Sequence, residues 1–146
     1  MTNTNAIIAT IGSINNSANK LIVDELKKHN LSGLAPSHGS ILVVLYGNEE
    51  GVPMSSITQA INKDKSTVTA LVNKLLKMQL IEKIKNENDS RSTLVRLTQK
   101  GLDTKSVVMD VISPKLLEIT YKNFSEEEKE IAFNLLERIK KNFLNQ

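Results

Sequence analysis

The sequence contains no cysteine and no tryptophan, and aromatic residues make up only 3% of it. Without cysteine there is no disulfide, no thiolate nucleophile, no thiol redox sensor and no Cys-ligated zinc. With so few rings, a core must be filled by Leu, Ile and Val, which dominate an apolar fraction of 40%. His29 and His38 are the only imidazoles, with neither an HxxxH pair nor a Cys partner, so surface or hydrogen-bonded roles are expected rather than metal ligation. The six glycines are scattered rather than gathered into a phosphate-cradling loop. No nucleophile with its base and no paired carboxylates stand out, so an enzyme is not expected, and no cofactor or metal is implied. Met1 to Asn5 is polar and uncharged, unlike a secretory leader. The longest purely apolar run, Ile41 to Tyr46, is far below the ~20 residues of a membrane span. A cytoplasmic protein with no membrane partner is the expectation.

The 146 residues suit one domain with helical extensions, and the net charge of +3 is unremarkable until it is mapped. Residues 53–101 hold seven Lys and two Arg against four acids, a local +5 that leaves the rest of the chain at −2. Concentrated positive charge is the footprint of a module that faces a polyanion.

Hydrophobic spacing predicts a helix over residues 6–29, with Ile7, Ile11, Ile14, Ala18, Leu21, Ile22 and Leu26 three or four apart. A second helix starts near Pro36, which fits a first turn, and stops at Gly47-Asn48. A short helix carrying Ile57 and Ile61 ends in an Asn62-Lys63 turn. Asp64 is the expected N-cap of the next helix, whose inner face is Val68, Leu71, Val72, Leu75 and Leu76. The period then shortens. Leu80 to Asn86 and Ser92 to Thr98 read as two strands joined by Glu87-Asn88-Asp89-Ser90, a hairpin with basic residues outward. A helix from Thr98 through Ile112 should bend or restart at Ser113-Pro114. Ser125 and Glu128 form a capping box for a last helix through Ile131, Leu135, Leu136, Ile139 and Phe143.

Helix, tight turn, helix and two-stranded wing make a unit suited to reading double-stranded DNA, with the second helix of the pair in the major groove. The fold class expected is mainly α with a small β-hairpin. On the outer face of that helix, Ser66, Thr67, Thr69 and Asn73 suit base edges, whereas Lys65, Lys74 and Lys77 suit phosphates. Arg91 falls at the hairpin tip, two residues after Asp89, whose carboxylate could orient the guanidinium for a minor groove.

The run Asp89-Ser90-Arg91-Ser92-Thr93-Leu94-Val95-Arg96-Leu97-Thr98-Gln99-Lys100-Gly101 resembles the wing signature of MarR-type regulators, D-x-R-x-x-x-L-x-L-T-x-x-G, with Val95 the one departure. Asp64 to Thr69 looks like the start of that family's recognition helix, and Leu34 to Ser37 like the entry to its second helix. Ala70, Lys63 and Gln79 replace a long basic residue, an apolar turn residue and a glycine that are frequent there. The resemblance implies a winged helix-turn-helix at 34–101, flanked by dimerisation helices at 1–33 and 102–146. It implies a homodimer on a pseudo-palindromic operator, usually a repressor released by a small aromatic or other small molecule. Ser37, Ser55 and Ser92 join the DNA-facing set, and His38 is the polar anchor considered for an effector. Two other readings remain open: a winged-helix module that binds an acidic protein, and an activator rather than a repressor.

Overall fold

The computed structural model describes residues Met1–Gln146. They form two compact units, Met1–Pro114 and Lys115–Gln146. In the first, a short 3-10 turn leads into α1 (Ile7–Lys28). Asn30 follows with φ 65°, and the Leu31 amide donates to the Leu26 carbonyl at 2.8 Å. That six-residue closure ends the helix and buries Leu26 against Leu31. Pro36 opens α2 (Pro36–Tyr46) and Pro53 precedes α3 (Met54–Ile61). Asn62 takes the left-handed conformation that the turn into α4 (Lys65–Lys77) requires. Asn adopts it at low cost.

The antiparallel hairpin pairs β1 (Ile81–Lys85) with β2 (Thr93–Leu97), Ile81 opposite Leu97 and Lys85 opposite Thr93. Each strand is one residue shorter at both ends than its hydrophobic pattern. Val52, in the loop before α3, exchanges two backbone bonds with Val95, at 2.9 and 2.7 Å. The wing is thereby stapled to the start of the helix-turn-helix. Ile41, Leu42, Leu45, Ile57, Val68, Leu75, Leu80 and Val95 are all fully buried, so α2, α3, α4 and the wing share one aliphatic core.

After the wing the chain is helical as α5 (Gln99–Asp103), α6 (Lys105–Val107), a π-helical turn (Val108–Ile112) and α7 (Ser113–Thr120). The expected break at Ser113-Pro114 takes the form of that π turn, in which the Ser113 amide reaches the Val108 carbonyl. Pro114 has no N–H to continue the regular ladder, and a wider turn just before it is a common accommodation. A buried polar chain ties α2 to α5: the Tyr46 hydroxyl bonds Thr104 Oγ1 at 2.6 Å, and Thr104 Oγ1 donates to the Gly101 carbonyl at 2.6 Å. Thr104 has only one proton, so Tyr46 is the donor between them.

In the second unit, the Tyr121 and Phe124 rings meet edge to face at 5.8 Å, and the Lys129 ammonium lies 5.4 Å from the Tyr121 centroid. The last helix, α8 (Glu126–Leu144), opens with the expected box, Ser125 Oγ accepting from the Glu128 amide and Glu128 Oε1 from the Ser125 amide. No residue of α8 is buried.

Two substitutions test this frame. A Cβ on Gly101 would sit 1.9 Å from the Leu80 carbonyl oxygen, so Gly101→Ala should lower stability in urea unfolding by roughly 1–3 kcal/mol. Gln79 holds φ 61° after α4, a conformation that costs a side-chain-bearing residue about 1 kcal/mol, so Gln79→Gly should raise the unfolding midpoint.

Candidate nucleic-acid interface

The outer face of α4 is set by its cap. Asp64 Oδ1 accepts from the Thr67 amide at 2.7 Å and from the Ser66 hydroxyl at 2.8 Å. The Thr67 amide, then the Ser66 and Thr67 hydroxyls, hold the Asp64 carboxyl below the usual carboxylate range. Thr67 is half-buried and turned to this cap, whereas Ser66, Thr69 and Asn73 are exposed. Thr69 donates its hydroxyl proton to the Lys65 carbonyl at 2.8 Å. The Asn73 side chain makes no hydrogen bond within the chain. Lys65 and Lys77 are exposed at the two ends of α4. Lys74 leans the other way: a Cβ on Gly33 would meet its ammonium at 3.4 Å, which places that charge over the α1–α2 loop.

The wing tip is organised by its own polar atoms. Asp89 Oδ1 accepts from the backbone amide of Arg91 at 3.0 Å, not from the guanidinium. Ser92 accepts from Asn86 Nδ2 at 2.9 Å, and its amide donates to the Asp89 carbonyl. Asp89 and Ser92 therefore shape the loop, and the exposed Arg91 side chain is left without an ion pair. The orientation of Arg91 comes from the turn beneath it rather than from a carboxylate beside it. Arg96 is engaged elsewhere, with Glu82 across the strands at 2.8 Å; both are about two-fifths exposed, so the pair adds little stability.

Ser55 is exposed on the first turn of α3 and Ser37 is half-buried on the first turn of α2. Lys83 and Lys85 were absent from the residues singled out in the sequence, yet they are exposed alternate positions of β1, beside the tip. Their period-two spacing within a +5 stretch was the available signal.

His38 lies mostly inside. Its Nδ1, at N3 of α2, accepts the amide of the cap residue Ala35 at 2.8 Å, the N3-to-cap half of a capping box. Burial and then the Lys74 charge hold the imidazole below its ordinary value. An acceptor Nδ1 is unprotonated, so the neutral ring with its proton on Nε2 is the form that fits.

A tight helical pair, a polar outer face on its second helix and a stapled basic hairpin define a winged helix-turn-helix protein. The sequence profile of the transcriptional regulator SarA/Rot family matches residues 20–108. The chain belongs to that family of transcriptional regulators. It is 28% identical to the HTH-type transcriptional regulator SarZ of Staphylococcus haemolyticus over 115 residues, which are 78% of this chain and 73% of that protein. It is also 28% identical to the HTH-type transcriptional regulator MhqR of Bacillus subtilis over 125 residues, covering 84% and 83% of the two chains. Among solved structures it is similar to a MarR protein from Peptoclostridium difficile (TM-score 0.83, 24% identity, 99% and 91% of the chains covered). It is likewise similar to an Escherichia coli MarR mutant complexed with operator DNA (TM-score 0.79, 18% identity, 94% and 99% covered). These structures establish the MarR-like fold. No helix is long and apolar enough to cross a membrane.

The His38 site has a pH signature. Its folded-state pKa lies below the unfolded value, so the unfolded chain binds more protons between the two. The stabilisation is complete above about pH 6.5 and is lost as pH falls below it. Unfolding midpoints should drop between pH 7.5 and 5.5, and His38→Asn, which retains an acceptor near Nδ1, should flatten that dependence.

Proposed function

We propose that the chain regulates transcription as a homodimer, with α4 of each subunit in the major groove of duplex DNA and the wing alongside. The carrying observation is the state of the basic stretch: small polar groups outward on α4 and a guanidinium at the wing tip with no internal partner. A structural role for Arg91 would have engaged its charge; a phosphate or a narrow minor groove supplies the missing anion. Lys65, Lys77, Lys83 and Lys85 are exposed on the same two elements and suit phosphates.

Dimerisation is supported by apolar surface that a single chain leaves in water. Ile8 and Ile14 on α1 are 54% and 63% exposed, and on α8 Ile131, Leu136 and Phe143 are 50%, 50% and 64% exposed. Faces of this kind mark association sites, and an isologous two-fold is the usual solution for identical chains. Two recognition helices so related prefer half-sites about one helical turn, ~10 bp, apart. The winged helix-turn-helix then occupies 34–101, with 1–33 and 102–146 flanking it as dimerisation segments, and the protein works in the cytoplasm. Repression relieved by a small molecule, aromatic or otherwise, belongs to the same reading. His38 could meet such a ligand only through Nε2, since Nδ1 is committed to Ala35.

Fluorescence anisotropy on a duplex selected from a random pool tests this. If each subunit neutralises three or four phosphates, log K falls against log salt with a slope on the order of −6. Arg91→Ala should weaken binding by ~1–3 kcal/mol with the melting temperature unchanged, and Arg91→Lys should recover part of that loss. A slope near zero, or Arg91→Ala binding as tightly as the parent, overturns the assignment. Sedimentation velocity at micromolar concentration should show a dimer; a folded monomer there rejects the two-fold arrangement.

A further inference from the structure

The hydroxyls on the outer face of α4 are polarised by the helix itself. Ser66 donates its only proton to the Asp64 carboxylate, and Thr69 donates its only proton to the Lys65 carbonyl. Each oxygen therefore turns its lone pairs, and no hydrogen, away from the helix. Both residues are exposed, three positions apart on one face, with Asn73 one turn beyond Thr69. The Ser66 bond is charge-assisted, and bonds of that kind are about twice as strong as neutral ones. The Asp64 carboxyl, held acidic by the bonds it accepts, stays ionised at neutral pH and keeps that arrangement in place. Thr69 has a second constraint, because its γ-methyl must occupy the remaining position on Cβ.

In the major groove, hydrogen-bond donors are few. Adenine offers its N6 amino group and cytosine its N4 amino group, whereas guanine O6 and N7 and thymine O4 are acceptors. Two acceptor oxygens facing guanine or thymine at the same position would oppose lone pair to lone pair. Reorienting either hydroxyl to serve those bases breaks a bond already made inside the protein.

Resting on the DNA-binding reading above, we infer that Ser66 and Thr69 are specificity-determining residues that act as hydrogen-bond acceptors. At the bases they face, they select the amino-bearing member of each transition pair, adenine over guanine and cytosine over thymine. Asn73, whose amide carries both a donor and an acceptor, is the one residue of this face free to bond adenine at N6 and N7 together. The operator half-site under α4 thus has its purines and pyrimidines filtered by amino groups, while the phosphate contacts fix register without regard to sequence.

The test is selection of bound duplexes from a random pool by the full-length parent, by Thr69→Val and by Thr69→Ser, with circular dichroism confirming that each is folded. Thr69→Val keeps the shape and the γ-methyl but puts a second methyl, with no lone pair, in place of the hydroxyl; Thr69→Ser keeps the lone pairs. The parent and Thr69→Ser should enrich adenine or cytosine over its transition partner roughly tenfold at one position per half-site, and Thr69→Val should level that position alone. Ser66→Ala should level a different position. On the selected duplex, a purine lacking the 6-amino group, or a pyrimidinone lacking the 4-amino group, should weaken the parent by a similar factor and leave the corresponding variant unaffected. Selection of guanine or thymine at the position levelled by Thr69→Val, or an unchanged preference in that variant, overturns the acceptor assignment while leaving DNA binding intact. Duplex binding by the parent with no enriched sequence overturns this inference alone, whereas absence of any duplex binding rejects the DNA-binding reading and this inference with it.

Discussion

The backbone of Leu80 is held at both ends: its N–H donates to the Leu75 carbonyl and its C=O accepts the Thr98 amide, each at 3.1 Å. The first bond closes α4 through the left-handed Gln79; the second joins the start of β1 to the end of β2. Thr98 Oγ1 accepts from the Gly101 amide and donates to the Gln79 carbonyl, so the same few atoms also begin α5. Gly101 passes so close to the Leu80 carbonyl that no side chain fits between them. Helix end, strand start and next helix start are thus fixed within one junction, and the fully buried Leu80 side chain anchors it in the core. The wing is fixed relative to α4 for this reason, and a binding surface built from two elements needs that kind of rigidity.

The polar groups divide between those that build this frame and those that face outward. His38, Thr98, Tyr46, Thr104, Asp89, Asn86 and Ser92 all spend hydrogen bonds inside the protein. No buried side-chain nitrogen or oxygen lacks a partner. What remains unengaged on the basic stretch includes Arg91, Asn73 and the exposed Lys65, Lys77, Lys83 and Lys85, together with the outward lone pairs of Ser66 and Thr69. Interior satisfaction makes the frame stiff, and the groups left over define what it can bind.

Much of this was legible in the sequence because it rests on local chemistry. Asp64, Ser125 and Glu128 cap the helices their spacing announces, and Asn62 takes the left-handed turn its side chain tolerates. The apolar alternation placed both strands within a residue at each end. Other features carry no pattern. The Val52–Val95 bridge is one residue long and joins segments far apart in the chain. Gln79 occupies a left-handed position with an ordinary side chain, because the Leu80 and Leu75 burial that follows outweighs the local cost. The sequence places a carboxylate two residues before Arg91, but only the turn geometry decides that it bonds the amide rather than the guanidinium. The role of His38 carried no such pattern: an imidazole at N3 can take the Glu or Gln place of a capping box, but only the structure shows its Nδ1 turned back to the Ala35 amide.

In the proposed assignment the outer face of α4 and the wing tip act as one DNA-contacting surface. The most direct measurement is a pair of backbone amide ¹H–¹⁵N spectra, of the free protein and of the protein saturated with a selected duplex. Shifts are expected to concentrate at Lys65 to Asn73 and at Glu87 to Ser92, both appearing at the same DNA ratio. Shifts confined to other elements, with these two segments unmoved by saturating duplex, would contradict it.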